Sequence, residues 1–112
     1  MTIDWKEEAA KRKDDMLADL KTMLRIESVR DEAKGTPEAP LGPGPKEALD
    51  KFLEIGQRDG FETLELDGLA GHIEYGDGPE TLGMLAHVDV MPAGNGWNTD
   101  PFEPVEKDGR LY

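Results

Sequence analysis

Residues 81–97 read TLGMLAHVDVMPAGNGW, an apolar run that ends in a histidine and an aspartate and then enters a turn. The run LGMLAHV is almost entirely apolar, which is typical of an interior strand covered on both faces. We therefore predict a strand over 81–90. Side chains two positions apart on a strand point to the same face, so His87 and Asp89 should face the same way. In open α/β sheets, ligands bind beyond the carboxyl ends of the strands, where this pair would lie.

The pattern of apolar residues in the first 60 residues predicts two helices. Apolar residues spaced by three and four predict a helix from Asp4 to about Ser28, and Asp4 suits its N-cap. A second helix is expected from about Pro45, a good first-turn residue, to Asp59, with Gly60 as the αL residue that ends it. The predicted buried side of that second helix consists of Ala48, Leu49, Phe52, Leu53 and Ile55.

The remaining segments predict strands and loops. AKGTPEAPLGPGP (33–45) has too many prolines and glycines for a helix or a central strand, so we predict a loop. FETLEL (61–66) and GHIEYG (71–76) alternate as half-exposed strands do, and FEPVEKDGRLY (102–112) predicts a hairpin around Asp108 and Gly109. The fold class is therefore α/β, with two helices followed by a mixed sheet. Because the last predicted strand has only three residues, we expect residues 1–112 to be the N-terminal part of a longer domain.

Composition limits the classes of partner. The 112 residues carry 13 Lys and Arg against 25 Asp and Glu, a formal net charge of −12 that disfavours nucleic acid and anionic membranes. The chain has no cysteine, which excludes thiolate zinc sites and a cysteine nucleophile and suits a reducing compartment. The N-terminus has no apolar signal-peptide core, and no stretch approaches the roughly 20 apolar residues of a membrane span. We expect a soluble, cytoplasmic protein.

The pair His87 and Asp89 admits three interpretations. Imidazole is a common ligand of zinc and similar divalent ions, and a nearby carboxylate can orient the ring. Alternatively, His87 could be a general base whose tautomer Asp89 sets. That mechanism needs a nucleophile, which would have to be Ser28 or a threonine, and no nucleophile elbow surrounds them. In the third interpretation, His87 is a hydrogen-bonded core histidine that caps a strand.

Two other sets of residues invite a functional interpretation. His72 and Glu74 repeat the spacing of two residues, but their polar surroundings favour an exposed strand edge over a ligand site. Trp97 and Phe102 could line a pocket, although aromatic residues beside a proline-rich turn more often pack against that turn.

A longer string favours the metal interpretation. HVDVMPAGNGWNTDPFEPVEKDGRLY (87–112) closely resembles the first metal-binding segment of the aminoacylase and carboxypeptidase family of dinuclear zinc peptidases. Within that family, LGPGPKEALDKFLEIGQRDGF (41–61) and AGHIEYGDG (70–78) resemble the dipeptidase V (PepV-type) branch. The resemblance covers nearly the whole chain and is most specific over 87–112.

The resemblance implies a role for each residue of the pair. His87 would be a metal ligand, and Asp89 would be the catalytic carboxylate that orients the groups of the active site. The cofactor would be zinc, two divalent ions per complete site, with manganese or cobalt as alternatives. The bridging aspartate, the glutamate general base, the remaining ligands and a lid domain are expected after Tyr112, so residues 1–112 alone should be inactive.

The implied activity is hydrolysis of dipeptides and other short peptides, including β-alanyl dipeptides, by a water molecule that two metal ions activate. Two alternatives remain open. The same motif serves deacylases and desuccinylases that cleave N-acyl amino acids. From a different class, the chain could be a non-enzymatic acidic interaction module.

Overall fold

The computed structural model describes residues 2–112, which form three α-helices, one short 3₁₀ helix and four short strands, so the α/β class is confirmed. The helices are α1 (Trp5–Lys11), α2 (Lys13–Leu24), the 3₁₀ helix Glu32–Lys34 and α3 (Pro43–Arg58). The strands are β1 (Glu62–Leu66), β2 (Ala70–Glu74), β3 (Glu106–Lys107) and β4 (Arg110–Leu111). Among residues 2–112, no helix combines the length and the apolarity that crossing a bilayer requires.

The predicted first helix is two helices. The N-cap at Asp4 is confirmed, because its carboxylate accepts hydrogen bonds from the amides of Lys6 and Glu7 at 3.0 and 3.1 Å. The helix is interrupted at Arg12, whose amide bonds to the carbonyl of Ala9 three residues back, and α2 ends at Leu24 rather than near residue 28. Helix α1 has no buried residue, so tertiary packing does not require it to continue along the axis of α2.

Helix α3 starts two residues earlier than predicted. Pro43 and Pro45 both fit its first turn, because the amides there have no partner within the helix. The predicted stop at Gly60 is confirmed. Gly60 has φ +88°, its amide bonds to the carbonyl of Gln57, and the amide of Phe61 bonds to the carbonyl of Gly56, both at 3.0 Å. This pair of bonds is the Schellman motif.

The apolar core is small. Its buried hydrophobic residues are Ile26, Ala48, Leu49 and Leu53. Helix α3 packs on the β1–β2 sheet at close range, because a Cβ at Gly71 would lie 3.1 Å from the Leu53 side chain. The predicted burial of Phe52 is wrong, since 43% of that residue is exposed. The side chain lies at the edge of the core, beside a cleft described below.

Two hairpins are present. β1 and β2 pair antiparallel with Leu64 opposite His72, which confirms the two strands. The predicted alternation is wrong for β1, because Leu64 and Leu66 are exposed and the half-buried residue is Thr63. β3 and β4 confirm the hairpin around Asp108 and Gly109, which have φ values of +54° and +74°. Positive φ at both central residues is what a type I′ turn requires, and Asp-Gly satisfies it.

The predicted strand over 81–90 is wrong for this structure. Residues 81–89 form no strand, and only Val90 makes a bridge, parallel to Val29. The side chains of the run are exposed: Leu82 by 89%, Met84 by 90% and Leu85 by 104%. A strand needs a partner, and none of the described residues pairs with this run. The predicted mixed sheet is therefore replaced by two separate antiparallel hairpins.

The overall dimensions reflect this open arrangement. The Cα radius of gyration is 16.6 Å, whereas a compact domain of this length has about 13 Å. The larger radius is consistent with the exposure of the apolar run, because both show that this part of the chain does not pack against the core. Much apolar surface between β2 and β3 is left without packing partners among residues 2–112.

Candidate metal site at His87 and Asp89

The site segment, residues 87–90, lies against the linker that joins α2 to α3. The amide of Val90 donates a hydrogen bond to the carbonyl of Ser28 at 3.1 Å. The Ser28 hydroxyl donates to the carbonyl of Val88 at 2.9 Å. These contacts join two stretches that are 60 residues apart in sequence, and they set where the segment leaves the core.

The side chains of His87 and Asp89 contact each other, although the strand from which we predicted that they point to the same face is absent. Nδ1 of His87 lies 3.0 Å from Oδ1 of Asp89 and 3.0 Å from the backbone oxygen of the same residue. Since both neighbours are acceptors, we assign the proton to Nδ1, which leaves the lone pair on Nε2. The interpretation of His87 as a core histidine is wrong, because 83% of its side chain is exposed. An exposed imidazole with a free Nε2 is suited to binding a ligand from outside.

The side chains around His87 and Asp89 can be compared with the ligands that a metal ion requires. A neutral imidazole held by a carboxylate through Nδ1 is the usual arrangement of a histidine that ligates zinc. Within residues 2–112, however, no group of three His, Asp or Glu side chains is placed to hold a metal ion. The chain thus offers one suitable ligand, and a catalytic zinc takes three protein ligands. Further ligands would have to come from outside the described residues.

Arg30 adds positive charge near the site. Its guanidinium is hydrogen-bonded to Glu32, which raises the pKa of Arg30, and the negative charge of Asp89 raises the pKa of Arg30 further. Arg30 could not be predicted as a neighbour of the site, because nothing in the stretch SVRDE distinguishes it from a solvated surface arginine.

An open cleft of about 420 Å³ adjoins the pair. Its walls are mainly apolar and come from the end of α2, from α3 and from the turn after the site. Trp97 and Phe102 both line it, which confirms one of their two predicted roles. The other role is confirmed as well for Trp97, whose indole N–H donates to the carbonyl of Ala93 at 2.9 Å and so fastens the turn.

The other candidates supply neither a nucleophile nor a metal ligand to the site. The Ser28 hydroxyl is bonded to a backbone carbonyl and the residue is only 1% exposed, so it is not available as a nucleophile. His72 and Glu74 are exposed on β2, as the strand-edge interpretation predicted. The structural use of Ser28 was missed by the sequence analysis, because no local pattern indicates a hydrogen-bond partner 60 residues away.

Ion pairs fasten the chain around this site to the helices. Lys21 of α2 bonds to Glu106 of β3 at 2.5 Å, and this bond lowers the pKa of Glu106. Arg58 of α3 bonds to both carboxylate oxygens of Asp19 at 2.8 and 2.9 Å, which lowers the pKa of Asp19. These exposed pairs orient the final hairpin and the α2–α3 packing and add little stability each.

No protein-family model matches the chain. Curated relatives do. The chain is 51% identical over 107 residues to a Staphylococcus epidermidis protein named "Putative dipeptidase", covering 96% of this chain and 23% of the relative. Similarly named proteins of Staphylococcus haemolyticus and Staphylococcus aureus (strain USA300) are 54% and 55% identical, covering 96% and 90% of this chain but only 23% and 22% of theirs. The chain therefore spans less than a quarter of the length of these relatives and is similar to one part of proteins named as dipeptidases.

Proposed function

We propose that the chain belongs to a metal-dependent dipeptidase of the aminoacylase and carboxypeptidase family, in its dipeptidase V branch. The names of the staphylococcal relatives support the dipeptidase activity. The geometry of His87 supports the metal dependence: Nδ1 is held 3.0 Å from the carboxylate of Asp89, and Nε2 has no hydrogen-bond partner within residues 2–112. That geometry is the observation on which the proposal of a metal site depends.

In this proposal, His87 ligates one of two divalent ions through Nε2. Zinc is the expected metal, with manganese and cobalt as alternatives. Asp89 keeps the imidazole in the tautomer that can ligate, and its charge makes the ring a stronger donor. When bound, the ions would polarise the scissile carbonyl and lower the pKa of a water molecule. The remaining ligands and the general base would lie outside residues 1–112.

The exposed apolar run supports the proposal that residues 1–112 are one part of a larger catalytic domain. Leu82, Met84 and Leu85 are almost fully exposed, and apolar patches of this kind mark surfaces that pack against something else. We propose that the rest of the catalytic domain covers them. A cytoplasmic location is part of the proposal, because a chain without cysteine suits a reducing compartment.

The test uses the full-length protein and the only two histidines of this chain. His87→Gln should lower dipeptide hydrolysis below about one hundredth of the wild-type rate, since losing an outer partner of a ligand already costs about 10–100-fold. His72→Gln is the matched control, because His72 is exposed on β2 and does not line the cleft beside His87. This variant should leave the rate unchanged. A His87→Gln protein with wild-type activity would contradict the proposal.

The substrate class is decided in the same assay. The wild-type protein is compared on dipeptides, on β-alanyl dipeptides and on N-acyl amino acids, with and without a chelator. We expect faster hydrolysis of the dipeptides and loss of activity with the chelator. Preference for the N-acyl amino acids would indicate the deacylase alternative. A folded protein that cleaves neither class would indicate the interaction module.

A further inference from the structure

Ser28 is the one buried polar side chain recorded among residues 2–112, with 1% of its surface exposed. A buried hydroxyl costs free energy unless it is hydrogen-bonded. This one donates to the carbonyl of Val88, the residue between His87 and Asp89, at 2.9 Å. The bond connects the α2–α3 linker to the middle of the site segment.

A second contact from the same residue acts on the other side of Asp89. The carbonyl of Ser28 accepts a hydrogen bond from the amide of Val90 at 3.1 Å. The two bonds therefore hold the two peptide groups that flank the Cα of Asp89, one through its oxygen and one through its nitrogen. Because peptide groups are planar, fixing both of them fixes φ and ψ of Asp89.

The same peptide groups also determine where the imidazole lies. The peptide that joins Asp89 to Val90 carries the backbone oxygen that stands 3.0 Å from Nδ1 of His87. Its N–H is the group bonded to Ser28. A rotation of this peptide would move the backbone oxygen of Asp89, which is one of the two acceptors that hold Nδ1 of His87.

We propose that Ser28 is a positioning residue, whose hydroxyl and carbonyl hold Asp89, and through it His87, in the orientation that binds the metal ion. This inference rests on the proposed function. Residues that orient a metal-bound histidine typically change metal affinity by about 10–100-fold when they are replaced. Ser28 acts one step further from the metal, and we expect an effect of about tenfold, the lower end of that range.

The experiment titrates the metal-free, full-length protein with Co²⁺ and follows the visible absorption of the bound ion. Ser28→Ala removes only the hydroxyl. The matched control is Thr22→Val, which deletes another hydroxyl that donates to a backbone carbonyl, that of Ala18 at 3.1 Å within α2. We expect Ser28→Ala to weaken Co²⁺ binding about tenfold and to shift the visible bands. Thr22→Val should bind Co²⁺ like the wild type.

Two further measurements separate positioning from a general loss of structure. The midpoint of thermal unfolding is recorded for each metal-free variant, and Ser28→Thr, which retains the hydroxyl, should recover Co²⁺ binding. Wild-type Co²⁺ affinity in Ser28→Ala overturns the inference, whatever the unfolding midpoint. Equal weakening in Thr22→Val overturns it too, because the effect would then not be specific to Ser28. If the wild type binds no Co²⁺, the proposed function itself fails.

Discussion

Gly44 should be intolerant of a side chain even though it lies in a helix. A Cβ at this position would stand 2.2 Å from the carbonyl oxygen of Glu27 and 3.2 Å from the Cα of Ser28. Both contacts are with backbone, which cannot rotate away as the end of a long side chain can. The Gly44→Ala variant therefore tests whether α3 packs on the linker as closely as the structure shows.

The magnitude follows from competing contributions. Alanine favours a helix over glycine by up to about 1 kcal/mol. Against this, a carbon needs roughly 1 Å more room from the Glu27 oxygen, and overpacking of that kind costs about 1–3 kcal/mol. Moving the linker by that distance would stretch the Ser28 hydrogen bonds of 2.9 and 3.1 Å beyond hydrogen-bonding range, at about 1 kcal/mol each. We expect a net loss of about 2–4 kcal/mol in the free energy of unfolding.

The assay is urea unfolding of the metal-free, full-length protein, followed by far-UV circular dichroism. Gly78→Ala is the matched control, because it lies outside the apolar run, no atom lies within 4 Å of its added Cβ, and its φ is not positive. That variant should stay within about 0.5 kcal/mol of the wild type. A Gly44→Ala protein as stable as the wild type, or more stable, would refute the argument, because the gain in helix propensity would then meet no opposing contact.

Two further predictions concern charge and chain length. Arg58 holds the pKa of Asp19 below its ordinary value of 3.8, so the pair stabilises the fold above that value and ceases to do so as the pH falls. The stability difference between wild type and Asp19→Asn should therefore shrink between about pH 6 and about pH 3, and a constant difference in urea unfolding would contradict this. Residues 1–112 produced alone should unfold without a cooperative transition or aggregate through the exposed run around Leu85. A sharp calorimetric transition from a monomer would argue against the packing role of that run.

The parts of the fold that the sequence predicted are those fixed by local physics. Asp4 caps a helix by its own carboxylate, and Gly60 ends another by its positive φ. Asp108 and Gly109 make a type I′ turn because both tolerate positive φ. None of these depends on a distant partner, so a few neighbouring residues were enough to predict each of them.

The parts that could not be predicted depend on distant contacts. The apolar run around Leu85 has the composition of an interior strand, but a strand forms only where another strand pairs with it. Phe52 has helical spacing that points it towards the core, yet the cleft beside His87 leaves it partly exposed. The contact between His87 and Asp89 does not come from the strand that their spacing predicted, because residues 81–89 form no strand. The contribution of Ser28 likewise needed the three-dimensional structure.

The contacts of Ser28 close a loop of about 60 residues, and loop closure has its own entropy. That cost rises by only about 0.6 kcal/mol for each doubling of the loop, so the length of the connection hardly matters once the ends meet. We expect insertions among the exposed residues 76–80, which precede the apolar run, to leave His87 where it is. We expect contacts between residues so far apart to form after local ones, since the intervening helix and hairpin can fold from nearby residues first. On that expectation, the histidine reaches its position only when most of the chain has folded.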